Sequence, residues 1–141
     1  MSDTDVLARL IQAVASRDTT APPSWDLDAV LRGVEELLIR QMRRPDLFAD
    51  ICHRASADIT NPYCLALIRL GQLNGARRTD SVATDDVRTM FRDCRAEIDA
   101  LPDDPRKIRL ASFLRYQGRV FLSRIGDYKE AARLEDEEVA A

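Results

Sequence analysis

An all-α fold is what the sequence predicts, and three observations carry that expectation. Every long segment spaces its apolar residues for one face of a helix. No segment sustains the apolar/polar alternation of a half-buried strand. The breaks between segments consist of proline, glycine and small side chains that cap helices. About seven helices are expected, stacked as repeat-like helical hairpins or gathered in an irregular bundle.

Val6, Leu7, Leu10, Ile11 and Val14 stripe the first helix. It ends before RDTTAPPS, residues 17–24, whose proline and threonine content reads as a linker. The expected organisation is an N-terminal helix and linker over 1–24 and one helical domain over 25–141. Ser24 is placed to cap the second helix, whose stripe is Leu27, Val30, Leu31, Val34, Leu37, Leu38 and Met42 until Pro45 interrupts it. Gly33 inside that helix costs about 1 kcal/mol relative to alanine, which is intelligible if a neighbour packs closely there. Arg44 or Asp46 opens a third helix with Leu47, Phe48, Ile51, Cys52, Ala55 and Ile59 on one side.

In TNPYCLALIRLGQLNG, Thr60 or Asn61 caps a fourth helix, and Pro62 takes the first helical position, where its missing N–H does no harm. Its unbroken apolar residues 63–68 predict a central helix covered on most sides. Thr84 with the acidic pair Asp85 and Asp86 starts a fifth helix, burying Val87, Met90, Phe91, Cys94, Ile98 and Leu101. PDDP stops it and starts a sixth over 105–125, and a seventh runs from about 127 to 139. Between those two, Gly126 ends one helix and Asp127 caps the next, a connection short enough to require an antiparallel hairpin.

GDYKEAA, Gly126 to Ala132, resembles the middle of a tetratricopeptide repeat, in which Gly-Asp-Tyr turns the chain and a small residue, here Ala131, lets two helices approach. The resemblance covers one hairpin, residues 105–140. Upstream the family's bulky-then-glycine pair is replaced by Gly118-Arg119. A second such pair, Leu70-Gly71, stands 47 residues before Gly118, beyond the family period of about 34 residues. At most two copies can be counted. The resemblance implies recognition of a protein or peptide in a groove lined by the first helix of each hairpin. On the sixth helix Arg109, Phe113, Tyr116, Val120 and Arg124 form a second face, distinct from Leu110, Leu114, Phe121 and Ile125. That face either looks into the groove or rests against the fourth or fifth helix.

Composition narrows the function classes. A chain of 141 residues, 45% hydrophobic and 32% charged, is long enough for one core and far from the disordered class. A formal charge of −3 disfavours general nucleic-acid binding. The opening residues lack a basic start and a continuous apolar run, and no stretch has the length of a membrane span, so a cytoplasmic location is expected. Cys52, Cys64 and Cys94 are odd in number and widely spaced, as reduced buried thiols would be. Cys52 and His53 are neighbours about 100° apart on a helix and do not converge on a metal ion or form a nucleophile–base pair. Asp85-Asp86 and Asp103-Asp104 stand where helices start and complement exposed N–H groups. No phosphate-binding loop, dinucleotide fingerprint or nucleophile elbow is present. The chain is therefore expected to be no enzyme and to need no cofactor or metal.

The resulting expectation is a non-catalytic adaptor or accessory subunit that binds a protein partner, acidic where it meets arginines, through Arg109, Phe113, Tyr116, Val120 and Arg124. The alternative is a nucleic-acid-associated regulator using the arginine-rich helix 105–125, extended by Arg77 and Arg78. The basic residues of the sixth helix and the acids of the seventh also suit mutual neutralisation across the hairpin. The N-terminal helix on its linker docks on its own chain or on a second copy, the latter giving a homodimer.

Overall fold

A computed structural model describes residues 2–17 and 26–140 and contains helices and no strand among them. The elements are α1 (Asp3–Arg17), α2 (Asp26–Glu35) continuing into a π-helical segment (Glu36–Gln41), α3 (Pro45–Ala55), α4 (Pro62–Arg77), α5 (Thr84–Asp99), α6 (Pro105–Arg124) and α7 (Tyr128–Ala140). Seven α-helices pack on one another, as the periodicity predicts. The linker proposed over 17–24 and the Ser24 cap fall outside the described residues, apart from Arg17, which ends α1.

Consecutive helices form three hairpins. The π segment packs on α3, α4 on α5, and α6 on α7. Each first helix touches the next first helix, α2 on α4 and α4 on α6, and each second helix touches the following first helix, α3 on α4 and α5 on α6. The first helices begin at residues 26, 62 and 105, spacings of 36 and 43. α1 closes the N-terminal end against α2 and α3 of its own chain. Gln12 Nε2 donates to the Arg54 and Ala57 carbonyls at the end of α3, and Arg54 pairs with Asp5 at 2.9 Å.

Local rules explain the ends of these helices. Asn61 Oδ1 accepts from the Tyr63 and Cys64 amides at 3.0 and 3.2 Å, so Asn61, and not Thr60, is the cap of α4. Asp104 caps α6 by accepting from the Arg106 amide, with Pro105 in the first turn. Gly126 takes φ +86°. Its amide bonds to Ser123 O while the Asp127 amide reaches Leu122 O, the paired bonds of a Schellman end. α5 starts at Thr84, as expected, and Ala83 holds the cap position before it without a side-chain bond.

The second helix departs furthest from its pattern. Arg43 at φ 54° and the long-reaching bond from Arg44 N to Leu38 O bring it to an end before Pro45. Across the π segment the buried stripe passes from Val34 to Leu38 and Ile39, because a wider turn advances the register. Leu37 and Met42, expected on the stripe, are 42% and 52% exposed. Gly33 has no atom within 4 Å of an added Cβ, which corrects the expectation of close packing there. Ile59 lies beyond the end of α3, and Ile125, placed on the buried face of the sixth helix, is exposed after its last turn. On α1 the buried residues are Ala8, Ile11 and Ala15, while Val6 and Leu10 face outward.

The core runs through α3 and α4, where Phe48, Ile51, Cys52, Ile68, Leu70 and Leu73 are almost wholly buried. α4 is the central helix that its apolar run predicts. Cys52, Cys64 and Cys94 are free and buried. Burial pushes the Cys94 thiol up to about 12 and raises that of Cys52 as well. His53, beside Cys52, is exposed.

α7 is held by a thin apolar contact, Ala131 with half-buried Leu134, and by ion pairs. Glu137 accepts from Arg95 of α5 at 2.6 Å, and Glu138 accepts from Arg115 and Ser112 of α6. The hydrogen bond from Arg95 holds Glu137 below the ordinary carboxylate value of 4.5, and those from Arg115 and Ser112 do the same for Glu138. A carboxylate whose folded pKa lies below its unfolded one stabilises above the unfolded value, and that stability is lost as pH falls through the folded value. Amide exchange corrected for intrinsic rates should therefore show α7 losing protection as pH drops from neutral to about 3, with α3 and α4 still protected. Unchanged α7 protection over that range would contradict this anchoring.

Candidate functional site

The three first helices share one side of the molecule, and there they enclose a groove of about 640 Å³. Leu31, Arg32, Glu35, Glu36 and Arg40 line it from α2 and the π segment; Gly71, Asn74, Arg77 and Arg78 from the end of α4; Phe113, Tyr116, Gln117 and Arg119 from α6. Phe48 of α3 also contributes to the lining.

Of the five residues singled out on the sixth helix, Phe113 and Tyr116 line the groove, and Arg109 reaches its edge through Asp28 and the Phe113 ring. Phe113 is half-buried, with the Arg32 and Arg109 guanidinium carbons 5.5 and 5.3 Å from its ring centroid. Tyr116 is 59% exposed on the groove wall. Arg109 Nη2 donates to Asp28 Oδ2 at 3.1 Å. Val120 and Arg124 are not among the groove's lining residues: Val120 is exposed, and Arg124 lines a more open depression with Arg43, Asp46, Arg78 and residues 79–81.

Several residues important to the site do not stand out in the pattern. Asp28 is a 7%-exposed carboxylate within the buried stripe of α2. It accepts from Arg32, one turn on, and from Arg109 of α6, so it ties the first hairpin to the third. The four-residue spacing of Asp28 and Arg32 is the only sequence signal of that pair. Asn74, buried on α4, donates to Glu35 Oε1 at 2.8 Å.

The acids of the groove are all engaged. Asp28 is held by Arg32 and Arg109, Glu35 by Asn74, Glu36 by Arg40, and Glu138 by Arg115 and Ser112. The Nε atoms of Arg77, Arg78 and Arg119 are buried without a hydrogen-bond partner, and so is Gln117 Oε1. Arg77 is only 9% exposed. Burial and the neighbouring Arg78 charge lower its pKa to about 10, which leaves it protonated at neutral pH.

The rest of the basic sixth helix is occupied. Arg106 lies over the Tyr63 ring at 4.3 Å and bonds to Asp104. Lys107 donates to the Asp99 and Leu101 carbonyls where α5 ends, and Arg115 holds Glu138. Across the hairpin Glu138 bonds directly to Arg115, while Glu137 turns to Arg95 of α5 with Arg115 acting on it only through space. A second cavity of about 420 Å³ lies between α5, α6 and α7. Its rim charges pair among themselves, Arg88 with Asp127 and Arg133 with Glu130, so it offers a ligand few free groups.

Among the described residues no cluster of three potential metal ligands occurs, and no helix is long and apolar enough to cross a membrane. Set against models of protein families, curated proteins and solved structures, the chain matches none.

Proposed function

We propose that this chain is a non-catalytic protein-interaction adaptor built as a short tetratricopeptide-like stack of three hairpins, which takes an acidic segment of a partner protein into the groove of α2, α4 and α6. The observation that carries this reading is the groove itself: the first helix of every hairpin contributes to one concave surface, and that surface presents half-buried Phe113, exposed Tyr116 and arginines in excess of their acids. Partly exposed aromatics flanked by arginines are the side chains that dominate binding energy at protein interfaces. The Gly126 turn and buried Ala131 give the third hairpin the features that the family resemblance rests on. Four of the six cations of α6, Arg106, Lys107, Arg109 and Arg115, are engaged within the chain, which favours the protein reading over a nucleic-acid track along that helix.

The test is a nuclease-treated affinity purification with mass spectrometry, followed by a titration of the recovered partner against wild type and a Phe113→Ala/Tyr116→Ala variant that remains folded by circular dichroism. A loss of about thirtyfold or more in affinity is expected for two centrally placed aromatics. Equal binding by the variant, or a ligand that is nucleic acid and dissociates steeply with salt, would overturn the reading.

A further inference from the structure

We propose that the cavity between α5, α6 and α7 is a binding site for an aliphatic carboxylate, its chain lying on the apolar floor and its carboxylate held by Arg92 at the rim. The cavity encloses about 420 Å³, within the range of small-molecule sites, and its floor is Phe91, Ile98, Leu114, Phe121, Leu122 and Leu134. Ile98, Leu114, Phe121 and Leu122 are buried core residues, and the Phe91 and Phe121 rings stand 5.6 Å apart, so the floor is a fixed surface. Protein interiors leave few voids larger than a water molecule, and this one has a structural cause. α5 and α7 each pack on α6, while charged side chains bridge the two sides: Arg88 to Asp127 at 3.4 Å and Arg95 to Glu137 at 2.6 Å. Long side chains joined end to end span a gap that apolar ones would close. Water in that gap meets apolar walls, so an apolar occupant that displaces it is favoured.

The rim selects the head group. Arg88, Arg92 and Arg95 follow at four- and three-residue steps on the face of α5 that lines the cavity. Arg88 and Arg95 are taken by Asp127 and Glu137, and Arg115 and Arg133 by Glu138 and Glu130. The acids of the rim are engaged too, Asp99 with Arg95, Asp127 with Arg88 and Glu130 with Arg133. Arg92 is exposed, and among the described residues it makes no ion pair or hydrogen bond. One open guanidinium matches one carboxylate through paired N–H donors, whereas a phosphate ester brings nearly two negative charges and a cationic head finds every acid claimed. The lining follows α5 from Arg88 to Ile98, about 15 Å of helix, a shape that suits an extended chain better than a compact ring.

This site is separate from the groove and does not require the partner-binding reading. Titration calorimetry of the full chain with decanoate is expected to show saturable one-to-one binding with a negative heat-capacity change. Hexanoate, shorter by four methylenes, should bind about a hundredfold more weakly. Arg92→Gln should weaken decanoate about tenfold and leave decanol binding unchanged. Ala111→Leu, which fills the cavity from α6, should abolish the binding of both, with the helical circular dichroism spectrum retained. Bound decanoate should also raise the amide-exchange protection of α7, because Leu134 lies against the chain. The Phe113→Ala/Tyr116→Ala variant should bind decanoate as the wild type does. Uptake that does not saturate, equal affinity for hexanoate and decanoate, or unaltered decanoate binding in either the Arg92 or the Ala111 variant overturns the proposal. Loss of binding in the Phe113/Tyr116 variant would place the ligand in the groove and overturn it as well.

Discussion

Phe48→Ala is expected to destabilise the protein by about 3–5 kcal/mol, the usual cost of emptying a fully buried aromatic site. Phe48 is 1% exposed on α3, and its ring edge stands 3.5 Å from the position a Cβ would take on Gly71 of α4. Its neighbours Ile51 and Leu73 are 0% exposed, and side chains so enclosed have little room to collapse into the void. Against a total stability of about 5–15 kcal/mol, that loss is large enough to read in denaturant unfolding as a lower midpoint with unchanged slope. Phe48 also lines the groove, so partner binding in the variant should weaken as well. A cost below about 1.5 kcal/mol would mean that α3 does not pack on α4 in this register.

Gly75→Ala is expected to destabilise by about 2 kcal/mol, although the same change at Gly33 is expected to stabilise by about 1 kcal/mol. Both glycines lie inside helices, where alanine is the better helix former. At Gly33 an added Cβ meets nothing within 4 Å, so propensity acts alone. At Gly75 it would stand 2.7 Å from Pro45 O and 2.8 Å from Ala49 N. Both are backbone atoms of the first turns of α3, so no rotamer change can make room. α4 would have to move off α3, and with it Arg77 and Arg78, two and three residues further along. Equal signs for the two substitutions in paired chemical denaturation would show that the α3–α4 approach is looser than the structure places it.

The boundaries of the helices were largely legible in the chain because they are local events. Asn61-Pro62, Asp104-Pro105 and Gly126-Asp127 each satisfy backbone groups within a few residues, and the structure finds each bond where the sequence implies it. The cap of α5 was not legible, since Ala83 in an extended conformation precedes the helix without a side-chain bond. The π segment was invisible for a similar reason: ELLIRQ is good α-helical sequence, and nothing local marks the wider turn by which it packs on α3 ahead of Pro45.

The candidate site divides in the same way. That Phe113 and Tyr116 share a face of α6 is a consequence of helical spacing, available from residue numbers alone. That this face meets α2 and α4 is not, because Asp28 and Arg109 lie 81 residues apart and are joined only in the folded chain. Arg77 and Arg119 looked like members of a basic run, with no sign that the groove's acids would be claimed by others. By itself, then, the sequence determined seven helices, the ends made by Asn61, Asp104 and Gly126, and most of the apolar face of each, since those depend on interactions within a few residues. Tertiary structure alone decided which helices share a concave surface and that Gly75 is a contact while Gly33 is open, because each depends on partners brought together across the whole chain.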